Sequence, residues 1–157
     1  FHLAQRFPLV LLPCNTWSVL GAEQRQRALR CIVPHLALGG VFAASLPNPD
    51  FMRTLPASSE ADVDETFIHP LSGNPVQVSS AWQRTRQTFT VTWHYDHLLP
   101  DGGVERLTVT ACHDLLPPEA YLAELRQAGL RIQALYGEFD GSPADRWAAN
   151  LIFIASL

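Results

Sequence analysis

The chain opens on an uninterrupted apolar run, Leu9-Val10-Leu11-Leu12, framed by Pro8 and Pro13. A run of this kind fits a strand covered on both faces, as in a parallel sheet, and proline is tolerated at a strand's first residue, where the missing N–H costs least. Residues 15–20 are polar and aromatic by turns and read as a strand-to-helix loop. From Ala22 to Leu36 the apolar residues Leu29, Ile32, Val33 and Leu36 recur at i, i+3, i+4 and i+7, with Glu23 to Arg27 on polar positions, which predicts an amphipathic helix. Pro34 should loosen its last turn and Gly39-Gly40 should stop it. Val41 to Ser45 then reads as a second short buried strand, so the opening third is a strand–helix–strand crossover, right-handed by the general rule.

The pattern changes after Pro47. Residues 47–73 carry Pro47, Pro49, Pro56 and Pro70 and the acids Glu60, Asp62, Asp64 and Glu65, which predicts a long surface excursion with a short helix near Pro49 to Leu55. Alternation follows. Phe89, Val91, Trp93 and Tyr95 fall on one face and Thr90, Thr92, His94 and Asp96 on the other, the signature of a half-buried, antiparallel strand. Val76 to Ala81 and Val104 to Cys112 read as its neighbours, with Pro100-Asp101-Gly102-Gly103 as a turn.

The last third returns to the first pattern. Pro117 and Pro118 precede a stripe of Tyr121, Leu122 and Leu125, and Gly129 stands where a helix C-cap glycine belongs. Ile132 to Tyr136 and Asn150 to Leu157 read as two further strands.

With 157 residues, 47% of them apolar, the chain is one domain or part of one with a packed core, which excludes disorder and fibre. It has no apolar stretch of about 18 residues and no leader pattern, so a soluble, cytoplasmic protein is expected. A net charge of -4 without any basic cluster argues against nucleic acid or anionic lipid as the main partner. All 11 basic residues are Arg, which excludes lysine-dependent chemistry. Cys14, Cys31 and Cys112 are too few and too far apart for a disulfide framework or a zinc knuckle.

Four stretches, in order, carry a family resemblance. They are Phe7-Pro8-Leu9-Val10 with Pro13-Cys14-Asn15-Thr16; Leu29 to Gly40, ending His-Leu-x-x-Gly-Gly; Asn48-Pro49-Asp50; and Ala128-Gly129-Leu130 leading to Tyr136-Gly137-Glu138-Phe139-Asp140-Gly141-Ser142-Pro143. This order resembles the C-terminal half of a class I S-adenosylmethionine-dependent methyltransferase, from its fourth sheet strand to the antiparallel seventh. The resemblance implies an α/β fold: half of a Rossmann-like sheet at residues 1–46 and 115–157, with a loop and an antiparallel β insertion, a lid, within 47–114. The insertion, at about residues 67–115, is similar to that of the small-molecule and amino-sugar N-methyltransferases, where it covers the acceptor and sometimes makes a dimer contact. Pro8 stands where the family usually has Asp, and Ser45 where an acidic residue often ends the fifth strand. The glycine-rich loop and the ribose-binding acid would lie before residue 1. The chain is thus expected to be a C-terminal portion, roughly 80–100 residues short of such a domain, inactive and without cofactor affinity by itself.

In open α/β sheets ligands sit beyond the carboxyl ends of the strands. After the first strand, Pro13, Cys14, Asn15 and Trp17 are candidates for the methionine part of S-adenosylmethionine, although Asn15 or Thr16 could instead cap the next helix. Ser45 and Asn48 follow the second strand and are candidate acceptor contacts. Tyr136 and Asp140 follow the third and could orient an acceptor amine or hydroxyl; ordinary turn chemistry is the alternative for Asp140. Methyl transfer needs alignment and, for a protonated acceptor, a base. His97 is the leading candidate, with His69, His94 and His113 as others. Trp93 and Tyr95, like Trp82, are either acceptor-binding or core and interface residues.

A metal site assembled from Cys112-His113-Asp114 with His94 or His97, and Cys14 as a nucleophile, have only spacing behind them. The other class of function open to these residues is a non-catalytic α+β module for small-ligand binding or dimerisation. The first strand's open edge predicts a homodimer or strand exchange through Val10 to Leu12 or through the insertion.

Overall fold

The computed structural model describes residues 1–157. In chain order the elements are β1 (Phe7–Leu12), α1 (Thr16–Val19), α2 (Ala22–His35), β2 (Leu36–Pro47), α3 (Pro49–Met52), β3 (Asp62–Ile68), β4 (Pro75–Arg84), β5 (Thr88–Leu98), β6 (Val104–Asp114), α4 (Pro118–Gln127), β7 (Arg131–Tyr136) and β8 (Asn150–Ser156). They form two compact units, one of residues 1–55 with 113–157 and one of residues 56–112. No helix is long and apolar enough to cross a membrane.

The first unit holds a four-stranded sheet in the order β1-β2-β8-β7. β1 and β2 are parallel, β8 is antiparallel to β2, and β7 is antiparallel to β8. β1, β2 and β7 therefore run in the same direction. The core centres on three rings, Trp17, Phe42 and Phe153, packed 5.7–6.0 Å apart, two of the pairs edge to face. The stripes Leu29 and Ile32 of α2 and Tyr121, Leu122 and Leu125 of α4 close over it, which is why both helices show the 3.6-residue period.

Two readings of this unit are corrected. β1 lies at the edge of the sheet, as expected, but is not covered on both faces: Leu9 and Leu11 remain 50% and 58% exposed. An apolar run cannot by itself distinguish a covered strand from one whose neighbour lies elsewhere. Nor does the glycine pair stop α2, which ends at His35 with Pro34 in its final turn. Gly39 and Gly40 lie inside β2, where the pairing jumps from Phe7↔Leu36 to Leu9↔Val41. The bulge needs them: Gly39 has φ +70, and a Cβ on Gly40 would stand 2.9 Å from the Phe7 carbonyl oxygen.

The second unit is a four-stranded sheet, β3-β4-β5-β6, each strand beside its sequence neighbour. β3-β4 and β4-β5 pair antiparallel. Thr92–Thr110, His94–Thr108 and Asp96–Arg106 link β5 to β6 in descending register, so that pair is antiparallel too. β3 falls within the segment read as a loop. All seven of its residues are exposed, and a bulge between Val63 and Glu65 interrupts the alternation that would have revealed it.

Candidate functional site

Because β1, β2 and β7 point the same way, their carboxyl ends bring residues 13–17, 45–48 and 136–149 to one edge of the first unit. The chain turns out of β1 in an unusual way. Cys14 and Asn15 are the only non-glycine residues with positive φ, 58 and 57, one after the other. The left-handed conformation costs a non-glycine residue roughly 1–2 kcal/mol, and such strain persists where the surroundings hold it, often at ligand sites.

Here it is held from several directions. The Thr16 hydroxyl donates to the Pro13 carbonyl at 2.8 Å, the Asn15 N–H donates to Ser45 Oγ at 3.4 Å, and the Ser18 hydroxyl donates to the Asn15 carbonyl at 2.9 Å. Behind Ser18 stands His113, its Nδ1 2.9 Å from Ser18 Oγ. Burial pushes the His113 imidazole below the usual histidine range. Neither Asn15 nor Thr16 caps α1 with its side chain; the Asn15 amide makes no hydrogen bond at all, and the Cys14 thiol is exposed.

Sequence candidates separate here into those at the edge and those drawn into the framework. Pro13, Cys14 and Asn15 lie at the edge, and Ser45, although buried, touches Asn15 directly. Trp17 does not wall an open pocket, since its ring is completely buried among the core aromatics and its Nε1–H is the single sealed polar side-chain atom without a partner. Asn48 is also not free to contact a ligand with its amide nitrogen. It donates to the carbonyls of Asp145 and Ala148 at 2.7 and 2.8 Å, while its Oδ1 accepts from the Asp50 N–H and so caps α3.

Tyr136 closes β7 at the same edge, partly exposed. Asp140 takes up turn chemistry: its carboxylate accepts from the Ser142 N–H at 2.9 Å, and hydrogen bonding with Ser142 holds it below the usual carboxylate range. Glu138, not singled out from the sequence, is the brace of this loop, accepting from the Ala149 N–H and the Asn150 amide at 3.0 and 2.9 Å. Nothing in its spacing marks it, because its partners lie 11 and 12 residues away across the loop.

Arg25 stands among the polar positions that the helical pattern assigns to solvent, yet it is completely buried. Its guanidinium donates to both oxygens of Glu124, to Asp114 and to the Leu20 carbonyl, and lies 5.2 Å from the centre of the Tyr121 ring. A buried charge is tolerable only when paired in this way.

In the second unit, His97 and Tyr95 line a groove of about 390 Å³ together with Phe67, His69, Glu105 and Arg106. His97 Nε2 lies 2.8 Å from Ser72 Oγ, its Nδ1 3.5 Å from Glu105, and its ring 5.0 Å from that of His69. Arg106 grips both oxygens of Asp96 at 2.6 Å and holds that carboxyl low. Trp93 is half-buried on β5, two residues from Tyr95 and on the same face, but does not line the groove. No group of three His, Cys, Asp or Glu is arranged to hold a metal ion. His113 faces Ser18 and Asp114 faces Arg25 instead, so the Cys112-His113-Asp114 site is not assembled.

No protein-family model matches the chain, and no curated protein matches it in sequence. Solved structures match over its whole length. A methyltransferase from Clostridium acetobutylicum superimposes with a TM-score of 0.78 at 11% identity, over 100% of this chain and 61% of that one. An amino pentose methyltransferase from Micromonospora echinaspora, solved with S-adenosylmethionine bound, gives 0.69 at 18% identity, over 99% and 60%. A sugar N-methyltransferase from a Streptoalloteichus species gives 0.69 at 23% identity, over 98% and 58%. The fold is that of S-adenosylmethionine-dependent methyltransferases. The chain spans about 60% of the length of the structures it resembles, and the likeness extends through the antiparallel insertion as well as the Rossmann-like half sheet.

Proposed function

We propose that this chain is the C-terminal portion of a methyltransferase that moves a methyl group from S-adenosylmethionine to a small-molecule acceptor. The observation that carries this is the strained pair Cys14-Asn15 at the carboxyl end of β1, with the Asn15 amide unpartnered. That is where an open α/β sheet receives its ligand, and a free amide beside exposed backbone suits the amino and carboxylate groups of the cofactor's methionine part. Pro13, Cys14 and Asn15 are the cofactor contacts in this reading, and Tyr136, at the same edge, is an acceptor contact.

When bound, the sulfonium cofactor supplies an already activated methyl group. What this chain adds is orientation of the acceptor, exclusion of water and management of its proton. The chain spans about 60% of the length of the structures it resembles, and cofactor binding and activity are expected of the longer protein rather than of these residues alone.

Calorimetric titration of S-adenosylhomocysteine into the longer protein that carries this chain, and into the 157 residues alone, tests the reading. Binding by the longer protein only is expected. Binding by neither would turn the assignment toward a non-catalytic ligand-binding module centred on the groove of the second unit, and binding by both would overturn the dependence on further sequence.

A further inference from the structure

The second unit brings a serine, two histidines and a carboxylate together within its own residues. Ser72 lies exposed in the turn between β3 and β4, with His69 in the same turn and His97 on β5. Its Oγ is 2.8 Å from His97 Nε2 and 3.2 Å from His69 Nδ1. A serine hydroxyl has one proton to place. His69 Nδ1 already accepts the Ser72 N–H, and the Asn74 N–H donates to Ser72 Oγ, so the hydroxyl proton goes to the nearer nitrogen, Nε2 of His97.

That direction fixes the ring. With Nε2 as acceptor, the neutral imidazole carries its hydrogen on Nδ1, which faces Glu105 Oε2 at 3.5 Å. Hydroxyl, imidazole and carboxylate thus stand in the order that activates a serine for attack on a carbonyl, and contacts of this kind are often long before substrate binds. Ser18, the other serine in contact with a histidine, lacks this order: its proton goes to the Asn15 carbonyl, and Asp114, next to His113, is held by Arg25.

The two rings that flank Ser72 Oγ also line the groove of about 390 Å³, with Phe67, Val76, Tyr95 and Leu107 as its apolar walls. Small-ligand sites have this size and this mixture of apolar walls and a few polar groups. What the turn does not offer is a pair of N–H groups for a developing oxyanion, since that of Gly73 is spent on the His69 carbonyl and that of Asn74 on Ser72 Oγ. A substrate must bring its own activation, which selects an ester with an acidic alcohol as leaving group over an amide.

We propose that Ser72, His97 and Glu105 form an acyl-transfer site that hydrolyses activated esters of small carboxylic acids, with Ser72 as nucleophile, His97 as its base and Glu105 positioning the imidazole. The site stands or falls independently of the methyltransferase reading. Ser72 Oγ bonds to the ester carbonyl carbon as His97 Nε2 takes the hydroxyl proton; the bond to the leaving alcohol then breaks, and that oxygen receives the proton from the imidazolium. Water attacks the acyl-serine along the same path, releasing the carboxylic acid and restoring the hydroxyl.

The probe is para-nitrophenyl acetate, added to the 157-residue chain. Hydrolysis with an initial burst of nitrophenolate is expected, and after an acid quench an acetyl group on the peptide that carries Ser72. Ser72→Ala should remove the burst, and His97→Gln should lower kcat roughly 10²–10⁴-fold. Ser80→Ala, on β4 with its hydroxyl donating to Asp64, should change neither. Glu105→Gln should lower kcat about tenfold with KM unchanged, a modest loss because this carboxylate is open to water. A fluorophosphonate reagent should label Ser72 in the wild type, a readout that does not depend on any variant folding. Hydrolysis undiminished in Ser72→Ala, an unchanged kcat in Glu105→Gln, or a wild-type Ser72 that takes up neither acetyl group nor label overturns the proposal.

Discussion

Arg25 on α2 donates from Nε and one terminal nitrogen to the two carboxylate oxygens of Glu124 on α4, at 2.8 and 3.0 Å. The pair joins α2 to α4 from a position where the guanidinium has no exposed surface. Removing one partner of such a pair strands the other. Glu124→Ala should cost about 3 kcal/mol, the low end of the usual range because Asp114 and the Leu20 carbonyl remain, and a urea denaturation midpoint reads it. Asp114→Asn should cost less, since that carboxylate is partly open to water.

Tyr121 shares this region, its hydroxyl donating to the Asp114 carbonyl. Burial pushes its pKa from 10.0 up to about 12. The folded state therefore holds the phenolic proton more tightly than the unfolded state. Stability from this group is complete below pH 10 and is lost as the pH rises through about 12. Titration followed by tyrosinate absorbance should show one of the three tyrosines ionising late and together with loss of the helical circular dichroism.

His113 works in the opposite direction. Its folded pKa is below the ordinary histidine value of 6.5, so the unfolded chain binds the proton more tightly. Stability is complete above pH 6.5 and declines as the pH falls toward the folded value. Chemical denaturation at a series of pH values should show this slope in the wild type and its loss in His113→Gln.

Cys14→Gly relieves one of the two left-handed residues. The gain is offset by the extra freedom glycine brings to the unfolded chain, so a rise in stability of about 1 kcal/mol or less is expected. In the longer protein the same variant should bind S-adenosylhomocysteine more weakly, because the loop's conformation is no longer enforced. A variant both more stable and equally tight would remove the strain from the argument about the site.

Asn48→Ala deletes two bonds to loop carbonyls and the cap of α3. The carbonyls of Asp145 and Ala148 lose their donor, and a destabilisation of roughly 1–3 kcal/mol follows. Faster amide hydrogen exchange confined to residues 137–149 would identify the loop as the part released.

The sequence exposed those elements whose residues face two different environments. Leu29, Ile32, Tyr121 and Leu125 announce their helices because each has a wet side and a dry side, and β5 alternates for the same reason. β3 has no dry side and could not be seen. Gly39-Gly40 misled because positive φ serves a bulge as well as a helix end. Position after a strand was enough to place Pro13 to Asn15 and Ser45 together at the strand-end edge. It was not enough for Trp17 and Asn48, which follow the same strands but turn inward, nor for Ser18 and His113, which are 95 residues apart and meet only in the folded chain.

β8 is synthesised after the other seven strands described above and lies between β2 and β7. Until residues 150–156 have left the ribosome, β7 has no strand beside it and the aromatic core lacks Phe153. The second unit, an unbroken stretch of residues 56–112 built from neighbouring strands, has no such dependence. Its contacts are all available before β8 is made, so the sheet of the first unit, which needs β8, is completed later than that of the second.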